Sequence, residues 1–200
     1  MTDQTPRRQR TDERRARILA AARERADAEG WAAVTTRHLA DTIGYTQPVL
    51  YGHFPGGKSE IMLAVAFEGF VDLARQCRAA LDRTSGPGRA AIEAVATAYL
   101  AFGSDHPAVY EAMFQQPIDT RFADDDTEPE LRAGFDVLAD AISDSGDGSA
   151  TEVFWGALHG ISLLERAGRM RPEHRSHRVA ELAARFAGNP GRLSPAPRVG

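Results

Sequence analysis

Apolar positions along this chain recur at helical spacings, and no stretch shows the strict alternation of a half-buried strand. Ile18, Ala22 and Ala26 form the inner stripe of a first helix that Asp12 and Glu13 open and Gly30 ends. Trp31 and Val34 are expected to pack beneath two very short helices. The first of these has Thr35 or Thr36 as its cap, one narrow apolar face of Leu39, Ala40 and Ile43, and Gly44 where the chain must turn left-handed. The second has Thr46 as cap, Pro48 in its first turn, and Leu50 and Phe54 pointing inward. Thr46, Gln47, Val49, Tyr51 and His53 remain on its outer side. A helix this short needs packing to persist. The pair has the layout of a helix-turn-helix whose second helix enters a DNA major groove.

Beyond residue 58 the pattern lengthens. Leu63, Phe67, Phe70, Ala74, Cys77 and Leu81 predict one long helix over 58–83, broken at Ser85-Gly86-Pro87-Gly88. Ile92, Val95, Tyr99 and Phe102 mark the next, with Gly103 and Pro107 bracketing a turn. Val109, Tyr110, Met113 and Phe114 mark a short apolar helix, and 116–128 reads as an acidic loop. Leu131, Phe135, Leu138 and Ile142 predict another helix. Ser149-x-x-Glu152 is a capping-box pattern opening a helix to about Arg169. Pro172 starts the last, with Val179, Leu182, Ala183 and Phe186 inward and Gly188 at its close. The expected fold is all-α with about nine helices, a three-helix head and a larger helical bundle. The expected boundaries are a flexible basic arm (1–10), the head (11–57), the bundle (58–187) and a disordered tail (188–200).

Charge sharpens this division. The net charge is −4, yet residues 1–58 hold ten Lys+Arg against seven Asp+Glu (+3), and the rest fourteen against twenty-one (−7). A basic front on an acidic body suits a DNA-binding head whose other surfaces repel phosphate. The single cysteine, Cys77, excludes an intramolecular disulfide and fits a reducing compartment. No apolar run approaches the ~18 residues of a membrane span, and the basic N-terminus lacks an apolar signal core. A soluble, cytoplasmic protein is expected.

The segments TTRHLADTIG and YTQPVLYGHF, with Leu50-Tyr51-x-His53-Phe54 ahead of Lys58, resemble the TetR (tetracycline-repressor-type) transcriptional regulators from about Arg14 to Leu63. AYLAFGSDHPAVYEAMF (98–114) and FWGALHGISLLERAGR (154–169) are similar to a TetR subgroup with a Trp-His-Gly signature, here Trp155, His159 and Gly160. The resemblance implies a homodimer on double-stranded operator DNA. It also implies a small-molecule pocket within helices four to seven, a seam from the last two helices, and release of DNA when ligand spreads the heads. Carried over by position, Thr46, Gln47, Pro48 and Val49 face base edges, and Tyr51, His53 and Lys58 face phosphates. Thr36 and Arg37 join this set. Two departures stand out. Gly52 occupies a position that is bulky in many members, and glycine there costs roughly 1 kcal/mol of helix against alanine. Gly56-Gly57 lengthens the turn before Lys58.

Gln47 suits bidentate contact with adenine, and Pro48 and Val49 suit a thymine methyl. Tyr51 fits either a phosphate contact or a core-edge aromatic with a wet hydroxyl. Arg7, Arg8 and Arg10, with Arg14, either follow the DNA backbone, probe a minor groove or stay solvated. Pocket candidates are Phe67, Phe70, Tyr99, Phe102, Tyr110, Met113, Phe135, Phe154 and His159, although aromatics and Met at helical spacing are more often plain core. His159 either orients a polar ligand group or bonds a neighbouring helix. Gly156-x-x-x-Gly160 permits close helix approach. With Trp155, Leu158, Ile161, Leu164, Leu182 and Phe186 it marks the expected dimer surface. His174-x-x-His177 and Asp124–Asp126 lack a third metal partner, so no metal and no cofactor are expected, and Cys77 reads as a small hydrophobe. An enzyme is the rival class. It lacks a phosphate-cradling glycine loop and a nucleophile–base pairing. A DNA-binding dimer without effector is the nearer alternative.

Overall fold

The computed structural model describes residues 4–115 and 129–187. Among them are nine α-helices, two short 3₁₀ turns and no strand. The helices are α1 (Gln4–Glu29), α2 (Thr36–Ile43), α3 (Gln47–His53), α4 (Gly57–Asp82), α5 (Arg89–Asp105), α6 (Pro107–Gln115), α7 (Pro129–Ile142), α8 (Ser149–Arg166) and α9 (Arg175–Ala187). The acidic 116–128 stretch, including Asp124–Asp126, and the 188–200 tail lie outside the described residues.

The chain forms two compact units. The first runs to Gly69 and takes in α6; the second holds 70–105 and α7 to α9. A division at residue 57/58 was expected, so the start of α4 and the whole of α6 fall differently. The cause lies in α6 itself. The Asp27 carboxylate accepts from the Ala108 N–H at 3.0 Å, satisfying one of the helix's unpaired first-turn donors. The Trp31 indole N–H donates to the Ala108 carbonyl at 2.8 Å. Gly69 completes the attachment, since a Cβ there would stand 2.5 Å from Val109 Cγ1 and 2.8 Å from Met113 Sδ. Gly69→Ala is expected to cost about 1–3 kcal/mol by overpacking, outweighing alanine's better helix propensity of roughly 1 kcal/mol. Urea unfolding of the variant checks this. A neutral or stabilised protein would mean that Val109 moves aside freely.

In the first unit, Ile18, Ala22 and Ala26 of α1 are buried with Val34, Leu39, Leu50, Phe54 and Ile61. Each large side chain buried in this way contributes about 1.5–3 kcal/mol. The α1 helix starts at Gln4, so residues 4–10 are helical where a flexible arm was expected. Gln and Arg are good helix formers, and Pro6 falls in the first turn, where its missing N–H has no intrahelical partner to lose.

The α4 stripe also differs from expectation. Phe70, Ala74 and Cys77 are buried as anticipated, but Leu63 is 37% exposed and Phe67 and Leu81 are half-buried. Ile61, Met62, Val65, Ala66, Leu73 and Ala80 take the inward positions instead. A 26-residue helix drifts against any seven-residue repeat, and α4 carries apolar residues on several faces.

The second unit packs α5 against α7, α8 and α9. Ile92, Val95, Tyr99 and Phe102 are buried, and Gly103 lies inside α5 instead of in a turn. At the start of α8 the expected capping box is replaced. Ser149 is already helical, and Gly148 (φ 87°) precedes it. Asp147 accepts from the Ser149 N–H at 3.0 Å. Asp144 accepts from the Thr151 N–H at 3.1 Å and its hydroxyl at 2.6 Å. These bonds, led by the Thr151 hydroxyl, hold the Asp144 carboxyl below its ordinary pKa. Pro172 begins a 3₁₀ turn, with α9 proper starting at Arg175. Arg178 ties α9 to Glu165 of α8 at 2.5 Å.

Candidate nucleic-acid interface

The expected helix–turn–helix signals are where the sequence puts them. Thr35 is the cap of α2, its hydroxyl accepting from the His38 N–H at 3.1 Å. Gly44 ends α2 in the left-handed region at φ 69°, and the Tyr45 N–H returns to the Ala40 carbonyl at 2.9 Å. Thr46 occupies the capping position of α3 without using its hydroxyl, which is exposed. Leu50 and Phe54 are both fully buried, so they fix which side of α3 faces out.

That outer side carries Thr46, Gln47, Pro48, Val49 and Tyr51, all exposed. Arg37 is exposed on α2, and Thr36 is half-buried beside the seam between the helices. Tyr51 combines an exposed side chain with a packed ring. It is 44% exposed, yet its ring lies over Gly57, whose added Cβ would be 3.4 Å from Cε1. Its hydroxyl stands 3.4 Å from the Thr36 hydroxyl. Gly57 has φ 61°, so glycine is needed there both for the turn and for the ring's approach. Gly52 meets nothing within 4 Å, so its backbone is bare on the outer surface.

His53 is half-buried, and its carbonyl accepts from Arg15 Nη1 at 3.3 Å. Lys58 is also half-buried and donates one N–H to the Trp31 carbonyl, leaving two for another acceptor. Arg8 and Arg10 are exposed on α1, and Arg7 lies on α1 with its side chain outside the described residues.

Sequence reasoning missed Arg15, Arg17 and Tyr45. The Arg15 guanidinium stacks 4.2 Å over the Phe54 ring. Arg17 donates to the Tyr45 hydroxyl at 3.0 Å and the Ile43 carbonyl at 3.3 Å. Contacts spanning some thirty residues leave no mark in local periodicity.

The pocket candidates divide between the units. Phe67, Tyr110 and Met113 belong to the first; Phe70, Tyr99, Phe102, Phe135, Phe154 and His159 belong to the second. Phe70, Tyr99, Phe102 and Phe154 are buried, and Phe135 and His159 are half-buried. Burial holds the His159 imidazole below its ordinary pKa. Trp155 donates its indole N–H to the Tyr99 hydroxyl at 3.1 Å. A groove of about 480 Å³ in the second unit is lined by Leu81, Thr84, Pro87, Asp140 and Asp144, among others, and by no candidate residue.

Two of the expected dimer residues need correcting. Leu158 and Leu182 are buried within their own unit and offer no surface. Phe186 packs its ring 4.9 Å from Phe154, and Trp155 and Ile161 are half-buried. The open apolar face of α8 is instead Val153 (64% exposed), Gly156, Gly160, Leu163 and Leu164. Among the described residues, nothing beyond its own stretch of helix lies within 4 Å of a Cβ built on either glycine.

Cys77 is 1% exposed and burial pushes its thiol up to about 12, as an inert hydrophobe requires. The His174 and His177 rings are 5.8 Å apart, and no group of three potential metal ligands occurs among the described residues. No helix among them is long and apolar enough to cross a membrane.

Residues 18–65 match the bacterial regulatory proteins of the tetR family, and residues 92–187 match the tetracyclin repressor-like C-terminal domain. An HTH-type transcriptional regulator of Mycobacterium tuberculosis is 34% identical over 154 residues, covering 72% of this chain and 66% of that protein. The HTH-type transcriptional activator FasR of Mycolicibacterium smegmatis is 33% identical over 134 residues, covering 67% and 57%. The matches thus span about two thirds or less of these relatives' own length. A crystal structure of TetR-Q116A from Acinetobacter baumannii, in complex with minocycline, has the same fold. It aligns with a TM-score of 0.62 at 21% identity over 86% of this chain and 93% of that one.

Proposed function

The chain belongs to the TetR family of transcriptional regulators, and from that premise we propose that it binds a palindromic DNA operator as a cytoplasmic homodimer and represses transcription until a small molecule releases it. The observation that carries the DNA reading is the presentation of α3. Two fully buried anchors, Leu50 and Phe54, leave Gln47, Pro48 and Val49 exposed along one side of a seven-residue helix. Such a side fits the major groove, where Gln47 reads adenine and Val49 meets a thymine methyl. Lys58, Tyr51, Thr36 and Arg37 supply phosphate contacts around it.

The exposed α8 face supports the dimer. It is apolar, lies opposite the buried Thr151, Phe154, Leu158 and Ser162, and contains two glycines that let another helix approach closely. Phe70, Tyr99, Phe102, Phe154 and His159 are the residues we assign to effector binding, with a neutral His159 to orient a polar group. Trp155, His159 and Gly160 serve as the Trp-His-Gly signature in this reading. For release, the ligand must bind the DNA-incompetent arrangement more tightly than the competent one, since equal affinity shifts nothing.

The M. smegmatis relative is named as an activator, which favours activation as the second reading; a reporter fused to a bound promoter distinguishes the signs. The first test is binding of the purified protein to fragments of its own genome at low salt, and absence of any bound fragment would overturn the proposal. Gln47→Ala is expected to keep phosphate-driven affinity but relax preference at one base pair by about 1–3 kcal/mol. Selection from a randomised operator pool reads this directly, and an unchanged preference would remove Gln47 from the base-reading set.

A further inference from the structure

Residues 8–14 of α1 are all exposed, and its first buried position among the described side chains is Ile18. A helix that projects from its unit in this way is a surface waiting for a partner, and its charges say which kind. Arg10, Arg14 and Arg17 follow the i, i+4, i+7 spacing and share one face. Asp12 falls on the opposite side, and Glu13, which accepts from Gln9 at 3.2 Å, flanks the stripe one turn from Arg10 and Arg17. Arg10 and Arg14 pair with no carboxylate among the described residues.

The stripe is also fixed to the recognition element. Arg17 bonds the Tyr45 hydroxyl and the Ile43 carbonyl in the turn just before α3. Arg15 bonds the His53 carbonyl and stacks on Phe54 just after it. The two side chains bracket α3 and tie α1 to it before and after the helix. Because Tyr45 oxygen accepts from Arg17, its own O–H is left to donate.

We propose that α1 acts as a rigid basic rail, with Arg10, Arg14 and the Arg17–Tyr45 pair engaging successive DNA phosphates outside the stretch that α3 reads. This rests on the DNA-binding reading above. The helical state decides the mode of contact. An extended arginine arm can enter a minor groove about 6 Å wide, whereas a helix of about 10–12 Å diameter cannot. The rail therefore follows the backbone and adds affinity without base preference. Eleven helical residues before Arg15 reach about 16 Å, enough to lengthen the protected site at each end.

The test uses the full-length protein and a fragment it binds, with affinity measured across salt concentrations. Arg10→Ala/Arg14→Ala is expected to make the log–log salt dependence shallower by about 0.9 per phosphate lost in each protomer. Selection from a randomised pool should return the same preferred sequence, and Arg10→Lys/Arg14→Lys should restore most of the slope. Thr11→Pro keeps every arginine but ends the helix at that residue and turns Arg10 off the Arg14–Arg17 face, and it should make the slope shallower by about 0.9 in each protomer. An unchanged slope in the alanine pair would overturn the rail, as would full affinity in Thr11→Pro, which would point to a flexible arm. Failure of the unmodified protein to bind any fragment would sink the DNA reading itself, a distinct result.

Discussion

Phe54→Ala is expected to unfold the helix–turn–helix and abolish DNA binding, although Phe54 itself touches no DNA. The ring is fully buried, Arg15 covers one face at 4.2 Å, and the Phe54 N–H closes α3 on the Leu50 carbonyl at 2.9 Å. Truncating such a ring costs about 3–5 kcal/mol through lost transfer energy and the cavity left behind. That is a large share of the roughly 5–15 kcal/mol that holds a domain folded. A seven-residue helix has no stability of its own, so α3 would melt first. Denaturant unfolding followed by circular dichroism should show an early loss of the first unit's share of helix. Gln47→Ala, on the same helix but outward, should leave the unfolding curve in place. Retained operator binding by Phe54→Ala, or a stability change below about 1 kcal/mol, would mean that α3 is held by something other than this anchor.

The head was legible because its determinants are local. The Thr35 cap, the Gly44 turn and the Leu50/Phe54 pair each act within five residues, and each is found in place. What stayed hidden depends on distance in sequence or on residues without hydropathy. The attachment of α6 rests on bonds 81 and 77 residues apart, and on Gly69, whose contribution is the absence of a side chain. Between Gln4 and Ile18 the only hydrophobic residue of α1 is Ala16, too little to display a period, so its arginines read as a loose arm. In α4, apolar residues on several faces left the buried stripe undetermined. In α8, the Gly156-x-x-x-Gly160 spacing was visible, but the side it faces was not. Leu158 therefore entered the expected seam while the exposed Val153 and Leu163 were left out.

That same face of α8 allows the proposed dimer to be separated from the fold. Gly156→Glu is expected to yield a folded monomer that has lost operator affinity by about 10²–10⁴-fold, the gain that linking two binding modules typically provides. Gly156 is exposed, and among the described residues a Cβ there meets nothing within 4 Å beyond its own helix backbone, so the substitution has room at its base. Replacing a mid-helix glycine should raise the monomer's own stability by roughly 0.5–1 kcal/mol. The new carboxylate would sit among Val153, Gly160 and Leu163, where a second copy's helix would have to desolvate it without a partner. Light scattering should give about twice 21.7 kDa for the unmodified protein and the single value for the variant. Thermal unfolding of the variant's monomer separates this from misfolding, since the helical signal persists if the seam alone is lost. A variant that stays dimeric and binds DNA normally would move the seam off this face of α8, and the close-approach role of Gly156 with it.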